Sequence, residues 1–326
     1  MKDFIIPIAI FALLMLFVPM FLVGKAQNVN NSLNTYATAI ETINQNGRDL
    51  VFQIRDGKTG KNETVAGFDF ICGVVAAEMP VSYNSEALKA QAVAAFTYCC
   101  YQKEQGGALI TTGLSVAYLS RDEAKAKWGS AFNDLWGKIE LAVSDVYGKA
   151  LFYNGKVIEA TFYDMSSGIT ESCKDVFGQD QPYLVEVSSP GDTLQKDFIS
   201  HAEFSLDDFK AKVKAFNPKP DFNGEPSSYL KVVSRSGAGG VMSADLCGKT
   251  VTGRDIRTLF GLRSTNFNLS YNNGKFIFEV KGYGHGVGMS QRGAEYMAEQ
   301  GKSWEEILLW YYKGTEIKDI SGVSIV

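Results

Sequence analysis

The strongest pattern along the chain is its first one. Residues Phe4–Val23 read FIIPIAIFALLMLFVPMFLV, 20 residues with no charge and no polar face at a 3.6-residue period. About 20 apolar residues cross a bilayer core as a helix. The run exceeds the apolar stretch of about 7–15 residues in a cleaved signal peptide, and Gly24-Lys25-Ala26 is a poor small-x-small cleavage site. Pro7 and Pro19 lie near its ends, where they disturb a helix least. The pattern predicts a short tail and transmembrane anchor over residues 1–26. Lys2 and Lys25 leave the positive-inside rule almost balanced. A short tail, one span and a large following domain place that domain outside.

Beyond the anchor, Asn28 to Asn46 is rich in Asn and Thr and reads as part of a stalk over 27–49. Leu50 to Arg55 (LVFQIR) alternates as a short strand, and Asp56 to Asn62 (DGKTGKN) is turn chemistry. An apolar run, Phe68 to Val75, leads into Ala76-Ala77-Glu78-Met79-Pro80. Asn84 or Ser85 then caps a helix that continues through Gln105 to the stop at Gly106-Gly107. Alanines on several of its faces predict close packing by neighbours. Residues 121–147 read as one or two helices broken near Gly129. Leu151 to Tyr163 reads as a hairpin turning at Asn154-Gly155, the best short-range hairpin signal.

A polar loop, DMSSGITE, covers Asp164 to Glu171. Residues 200–262 change character: a charged helix at Ser205 to Ala215, a Pro/Asn-rich link at Asn217 to Pro226, strands near Tyr229–Arg235 and Lys249–Thr252, and a short helix at Asp255 to Phe260. Thr265 to Lys281 reads as a hairpin at Asn272-Asn273-Gly274. A Gly-rich loop, Gly282 to Gly293, and two helical stretches close the chain. The expected fold class is α+β, with mixed helices and antiparallel hairpins. A main catalytic lobe over 50–199 is rejoined by 263–326, a smaller second lobe covers 200–262, and one N-terminal transmembrane helix precedes both.

Composition agrees with a globular chain: 326 residues, 45% hydrophobic and 21% charged. The formal net charge is −4. There is no Lys/Arg-rich stripe of the kind that nucleic acid or an anionic surface demands, so no nucleic-acid partner is expected. An uncharged polysaccharide needs no such field. Five cysteines (Cys72, Cys99, Cys100, Cys173 and Cys247) fit no zinc spacing and read as small buried hydrophobes.

Few residues are placed to do chemistry. Glu78 stands in VVAAEMP, otherwise without polarity. Pro80 holds Met79 extended, so the carboxyl sits at a fixed break before the next helix. Desolvation raises a carboxyl pKa and suits it to general acid work; the competing reading is a helix cap or an Arg partner. His285 lies among five glycines in GYGHGVGMSQRGA. Glycines allow close backbone approach to a ligand, and a histidine pinning a tight loop is the rival reading. The hydroxyls and amides of Ser166, Ser167 and Gly168 suit sugar hydroxyls or the capping of a turn. A Ser/His/Asp hydrolase lacks its G-x-S-x-G elbow. Two histidines 84 positions apart, His201 and His285, do not suggest a metal. No metal or cofactor is expected.

In their order along the chain, VVAAEMP, SEALKAQAVAAFTY, SSGITES with KDVFG and PYL, GLRST, GYGHGVGMSQRGA and ILLWYYKGTEI resemble the stage II sporulation protein D (SpoIID) family, with its LytB-type amidase-enhancer relatives. The resemblance spans about Phe68 to Ile317. It implies a lytic transglycosylase that cuts peptidoglycan glycan strands stripped of stem peptides, with Glu78 as single general acid/base. It also implies a cleft between the lobes lined by Glu78, Ser166, Ser167, His285, Ser290 and Gln291, with Gly168 and Gly286 beside them. Implied partners are a peptide-removing amidase and a multi-spanning membrane protein of the engulfment machinery; the implied location is the space between mother-cell and forespore membranes. The chain departs from the family at Phe96, where an Arg is usual, at Ile169, where a second glycine is usual, and at Ser115, near a zinc-binding Cys of some relatives. Two alternatives stand beside this: a non-catalytic wall-binding amidase enhancer, and a hydrolase pairing Glu78 with Asp164 or Glu171.

Overall fold

The computed structural model describes residues 50–57, 59–106, 109–110 (backbone only) and 116–320. The expected anchor and stalk, and Ser115, lie outside them. No helix among the described residues is long and apolar enough to cross a membrane. The fold mixes helices with small, mostly antiparallel sheets, as an α+β class requires.

Strand β1 (Val51–Arg55) pairs antiparallel with β2 (Asn62–Ala66) across the expected turn, and parallel with β3 (Leu109–Ile110). The apolar run that follows is a helix, α1 (Gly67–Glu78), with Phe70 to Ala76 all buried. A short run buried on every side has no amphipathic period, so its helical state is hidden from periodicity. Helix α2 (Ser85–Glu104) begins where Asn84 accepts the Glu86 N–H. Its small residues let α1, α4 (Phe132–Ser144), α8 (Gln291–Glu299), α9 (Trp304–Tyr311) and β4 (Lys149–Tyr153) pack around it. Thr97, buried in α2, accepts the Leu151 N–H at 3.0 Å and donates to the Val93 carbonyl at 2.6 Å. Helix α3 (Arg121–Trp128) breaks from α4 at Gly129, as the sequence predicts.

The Asn154-Gly155 turn joins β4 to β5 (Lys156–Val157), with both turn residues at positive φ, and β14 (Glu316–Asp319) flanks β4. The second strand of that hairpin is cut short. Phe162–Tyr163 form a separate strand, β6, running parallel to β13 (Met289–Ser290). Helix α5 (Cys173–Phe177) follows the serine loop.

The second lobe is larger than the sequence implies. Strand β7 (Ile199–Ser205) pairs with β12 (Lys275–Lys281), which pairs with β11 (Phe267–Asn272). The hairpin assigned to the main lobe therefore shares one core with α6 (Leu206–Phe216), β8 (Leu230–Arg235), β9 (Val241–Leu246), β10 (Lys249–Thr252) and α7 (Gly253–Phe260). At its centre Phe209 stacks on Phe276, ring centroids 3.8 Å apart, and on Phe260 at 5.0 Å. Pairing to β7 is non-local, so no local pattern reveals it. All five cysteines are free and buried, and burial pushes their thiols above the ordinary range.

Candidate active site

Glu78 is the last residue of α1. Met79 is extended, at φ −124° and ψ 146°, because the proline after it disfavours helix. The carboxylate is half-buried, and both oxygens are held. Oε1 accepts the Ala117 N–H at 2.6 Å, and Oε2 accepts from Gln291 Nε2 at 3.2 Å. Ala117 is brought there by close packing: Leu119 N–H donates to the Gly73 carbonyl at 3.1 Å, and a Cβ on Gly73 would stand 2.3 Å from the Tyr118 ring. Gln291, first residue of α8, is 4% exposed, and its amide lies 3.5 Å from Gln91 Oε1 on α2. Burial pushes the Glu78 carboxyl above its ordinary range. The two hydrogen bonds pull the other way, and the nearby Asp164 charge adds to the rise.

The carboxyl opens on a cleft of about 960 Å³. Aromatic Tyr98, Phe162, Phe177 and Tyr283 line it, with the carboxylates Glu78, Glu159 and Asp164 and with His285 and Gln291. Among the described residues none that lines it belongs to the second lobe, so these residues place the cleft within the main lobe rather than between lobes.

Of the residues expected around the substrate, the cleft brings together Glu78, His285 and Gln291. His285 is held on both ring nitrogens: Nδ1 lies 3.1 Å from the Val287 N–H, which makes Nε2 the protonated nitrogen, donating to the Phe162 carbonyl at 3.1 Å. Burial, with the charges of Arg257 and Arg254, lowers its pKa to about 4, so the ring is neutral and offers the cleft a face rather than a proton. Ser166 and Ser290 do not line the cleft. Both are buried and spend their hydroxyls on Asp192, a wholly buried residue in the short 3₁₀ turn Pro190–Leu194. Asp192 Oδ2 takes the Ser166 N–H at 2.8 Å and its hydroxyl, and Oδ1 takes the Ser290 hydroxyl at 2.8 Å. Ser167 donates to the Ala238 carbonyl at 3.0 Å, across to the second lobe. At Gly168 a Cβ would meet Thr193, and at Gly286 it would meet Glu171.

The glycine loop thus approaches its own chain: Tyr283 pairs with Met165, Val287 with Glu171, and Met289 with Phe162. A buried Asp inside a Ser/Pro/Gly stretch reads as a turn residue, so nothing in SSPGDTL marks Asp192 as the clamp. Glu171 points away from the cleft, accepting the Gly240 N–H at 3.1 Å beside a smaller cavity of about 360 Å³. Asp164 does line the cleft, with both oxygens engaged by Arg292 at 3.0 and 3.2 Å. Phe96 is not among the residues that line the cleft; it is buried against Phe52 and Tyr147.

A family model described as "SpoIID: Stage II sporulation protein" matches residues 55–153, a stretch that contains Glu78. The stage II sporulation protein D of Bacillus amyloliquefaciens is 38% identical over 259 residues, 77% of this chain and 74% of the relative. That of Bacillus subtilis is 33% identical over 337 residues, 98% and 96% of the two chains. A Bacillus subtilis protein named amidase enhancer is 28% identical over 293 residues, 75% of this chain but 40% of the relative. With this identity sustained over most of both sporulation proteins and with the Glu78 segment inside the matched region, the chain belongs to the stage II sporulation protein D family.

Proposed function

We propose that the protein is a lytic transglycosylase of the cell wall, cutting peptidoglycan glycan strands freed of stem peptides during the engulfment stage of sporulation. The observation that carries this is Glu78, a half-buried carboxyl of raised pKa at the floor of an open, aromatic-lined cleft. In the protonated form it gives its proton to the glycosidic oxygen as the bond to the muramic sugar breaks. As carboxylate, steadied by the Ala117 and Gln291 N–H groups, it takes the proton from that sugar's 6-hydroxyl, and O6 closes on C1. One group serves both steps and no water attacks, so the separated carboxylate pair of ordinary glycosidases is not required. Asp164, clamped by Arg292, suits stabilisation of positive charge at the sugar ring better than proton transfer. On this reading the chain is anchored by Phe4–Val23, with the cleft outside the membrane, and works beside an amidase and a multi-spanning membrane protein.

Digestion of denuded glycan strands by the purified protein tests it, with ends read by mass spectrometry. Anhydro-muramic ends are expected. Reducing ends carrying oxygen from labelled water would point instead to hydrolysis with Asp164 as the second carboxylate. The similarity to the amidase enhancer favours a second reading, a wall-binding module that activates an amidase without cutting glycan. Strands left intact, together with a faster amidase, would establish that one.

A further inference from the structure

The three carboxylates in the cleft are treated differently by the fold. Glu78 is held by two N–H donors and Asp164 by a guanidinium. Glu159 has no such partner among the described residues. It sits between β5 and β6, half-buried, with its backbone N–H donating to Tyr183 Oη at 3.2 Å. Among the described residues its carboxylate accepts no hydrogen bond and meets no cation. Burial alone raises its pKa, with no donor pulling it back. Its surroundings, Tyr101, Cys173 and Tyr183, are neutral groups whose own ionisation its charge opposes. Among the described residues no Lys or Arg lines the cleft.

A carboxylate that loses hydration without a partner costs free energy, and an anionic cleft attracts a cation. One carboxylate supplies too few oxygens for a divalent metal, which takes six or more. Among the groups a hexosamine strand can bring, the one that carries positive charge is a free amine at C2.

We propose that Glu159 forms a subsite for a free 2-amino group, so that the cleft favours glycan in which a hexosamine is de-N-acetylated over fully N-acetylated glycan. The ammonium donates to the carboxylate, and the Tyr98 and Phe162 rings, 6.5 Å apart, offer apolar faces to the sugar beside it. An N-acetyl group in the same place is neutral and offers a single N–H. The proposal rests on the glycan-cleaving reading above and adds to it the substrate's charge.

Calorimetric titration of the full chain at pH 6 with glucosamine hexasaccharide and with N-acetylglucosamine hexasaccharide tests it. The wild type is expected to bind the free-amine oligomer about tenfold more tightly, the ratio one charge-assisted hydrogen bond supplies. Glu159→Gln is expected to bring the two affinities level without lowering Tm. Equal affinities in the wild type overturn the subsite. So does a preference that persists in Glu159→Gln and fades with salt, because that reports the general field of the cleft. If neither oligomer binds, the glycan reading itself falls; if the N-acetylated oligomer binds without preference, only the subsite does.

Discussion

On the proposed reading Glu78 has to hold a proton and then release it, and its surroundings balance those demands. Burial favours the neutral form, while Ala117 and Gln291 favour the ionised one. The stability consequence has a definite sign. A carboxyl whose folded pKa is raised contributes stability that is full below its unfolded value of about 4.3 and is lost as pH rises through the folded value. Glu78→Gln cannot ionise, so its Tm should match the wild type near pH 4 and exceed it at pH 7, measured by thermal unfolding across that range. The same variant should lose at least about 100-fold in cleavage rate, the usual worth of a general acid; a variant retaining full activity would mean the acid lies elsewhere. Gln291→Leu removes a donor to the ionised form. Glu78 should then keep its proton to higher pH, moving the alkaline limb of the pH–rate profile upward while lowering kcat about tenfold through the slower return step.

The elements carry the site by buried clamps that do not line the cleft. Asp192 ties the serine loop to the cap of α8, and the next residue along α8 is Gln291. Asp192→Ala leaves the Ser166 N–H and the Ser166 hydroxyl proton without an acceptor and Ser290 with only the longer 3.4 Å contact to the Asp164 carbonyl, and should cost about 3 kcal/mol in denaturant unfolding. Asp192→Asn, which keeps an acceptor for Ser166 and a donor for Ser290, should cost clearly less. Gly73 acts on the other side of Glu78. Gly73→Ala would drive a methyl into the Tyr118 ring, push residues 116–120 off α1, and take the Ala117 N–H away from the carboxylate. A loss of about 1–3 kcal/mol is expected, with a pH–rate profile displaced in the direction of Gln291→Leu.

At the scale of the molecule, two cores meet across polar contacts. Ser167 donates to the Ala238 carbonyl, the Gly240 N–H donates to Glu171, and Arg263 pairs with Asp197. The second core is aromatic and closely stacked, so Phe209→Ala should cost about 3–5 kcal/mol. Among the described residues the cleft is walled by the main lobe alone. Below the lowered Tm, kcat/KM on glycan strands should therefore stay within about threefold of wild type. A collapse of activity in a folded Phe209→Ala protein would show that the second lobe shapes the cleft after all.

Local grammar was enough for much of this. The Asn84 cap and the packing of α2, the break at Gly129, the Asn154-Gly155 turn and the extended residue before Pro80 all follow from interactions within a few positions, and each appears as read. Glu78 was legible for the same reason, as one polar residue in an apolar run held against a proline. What needed the assembled chain is whatever depends on partners far along it. The α1 run could be assigned to a helix only once its neighbours on every side were in place. Strand β12 joins β7 instead of the main lobe because a register across some 70 residues decides it. Ser166 and Ser290 carry the right chemistry for sugar but turn inward, because the buried carboxylate of Asp192 takes their hydroxyls. His285 has both nitrogens committed to backbone groups, and the glycines around it make room for neighbouring strands. Hydrogen-bond saturation is a property of three-dimensional neighbours, and residue type along a chain does not encode it.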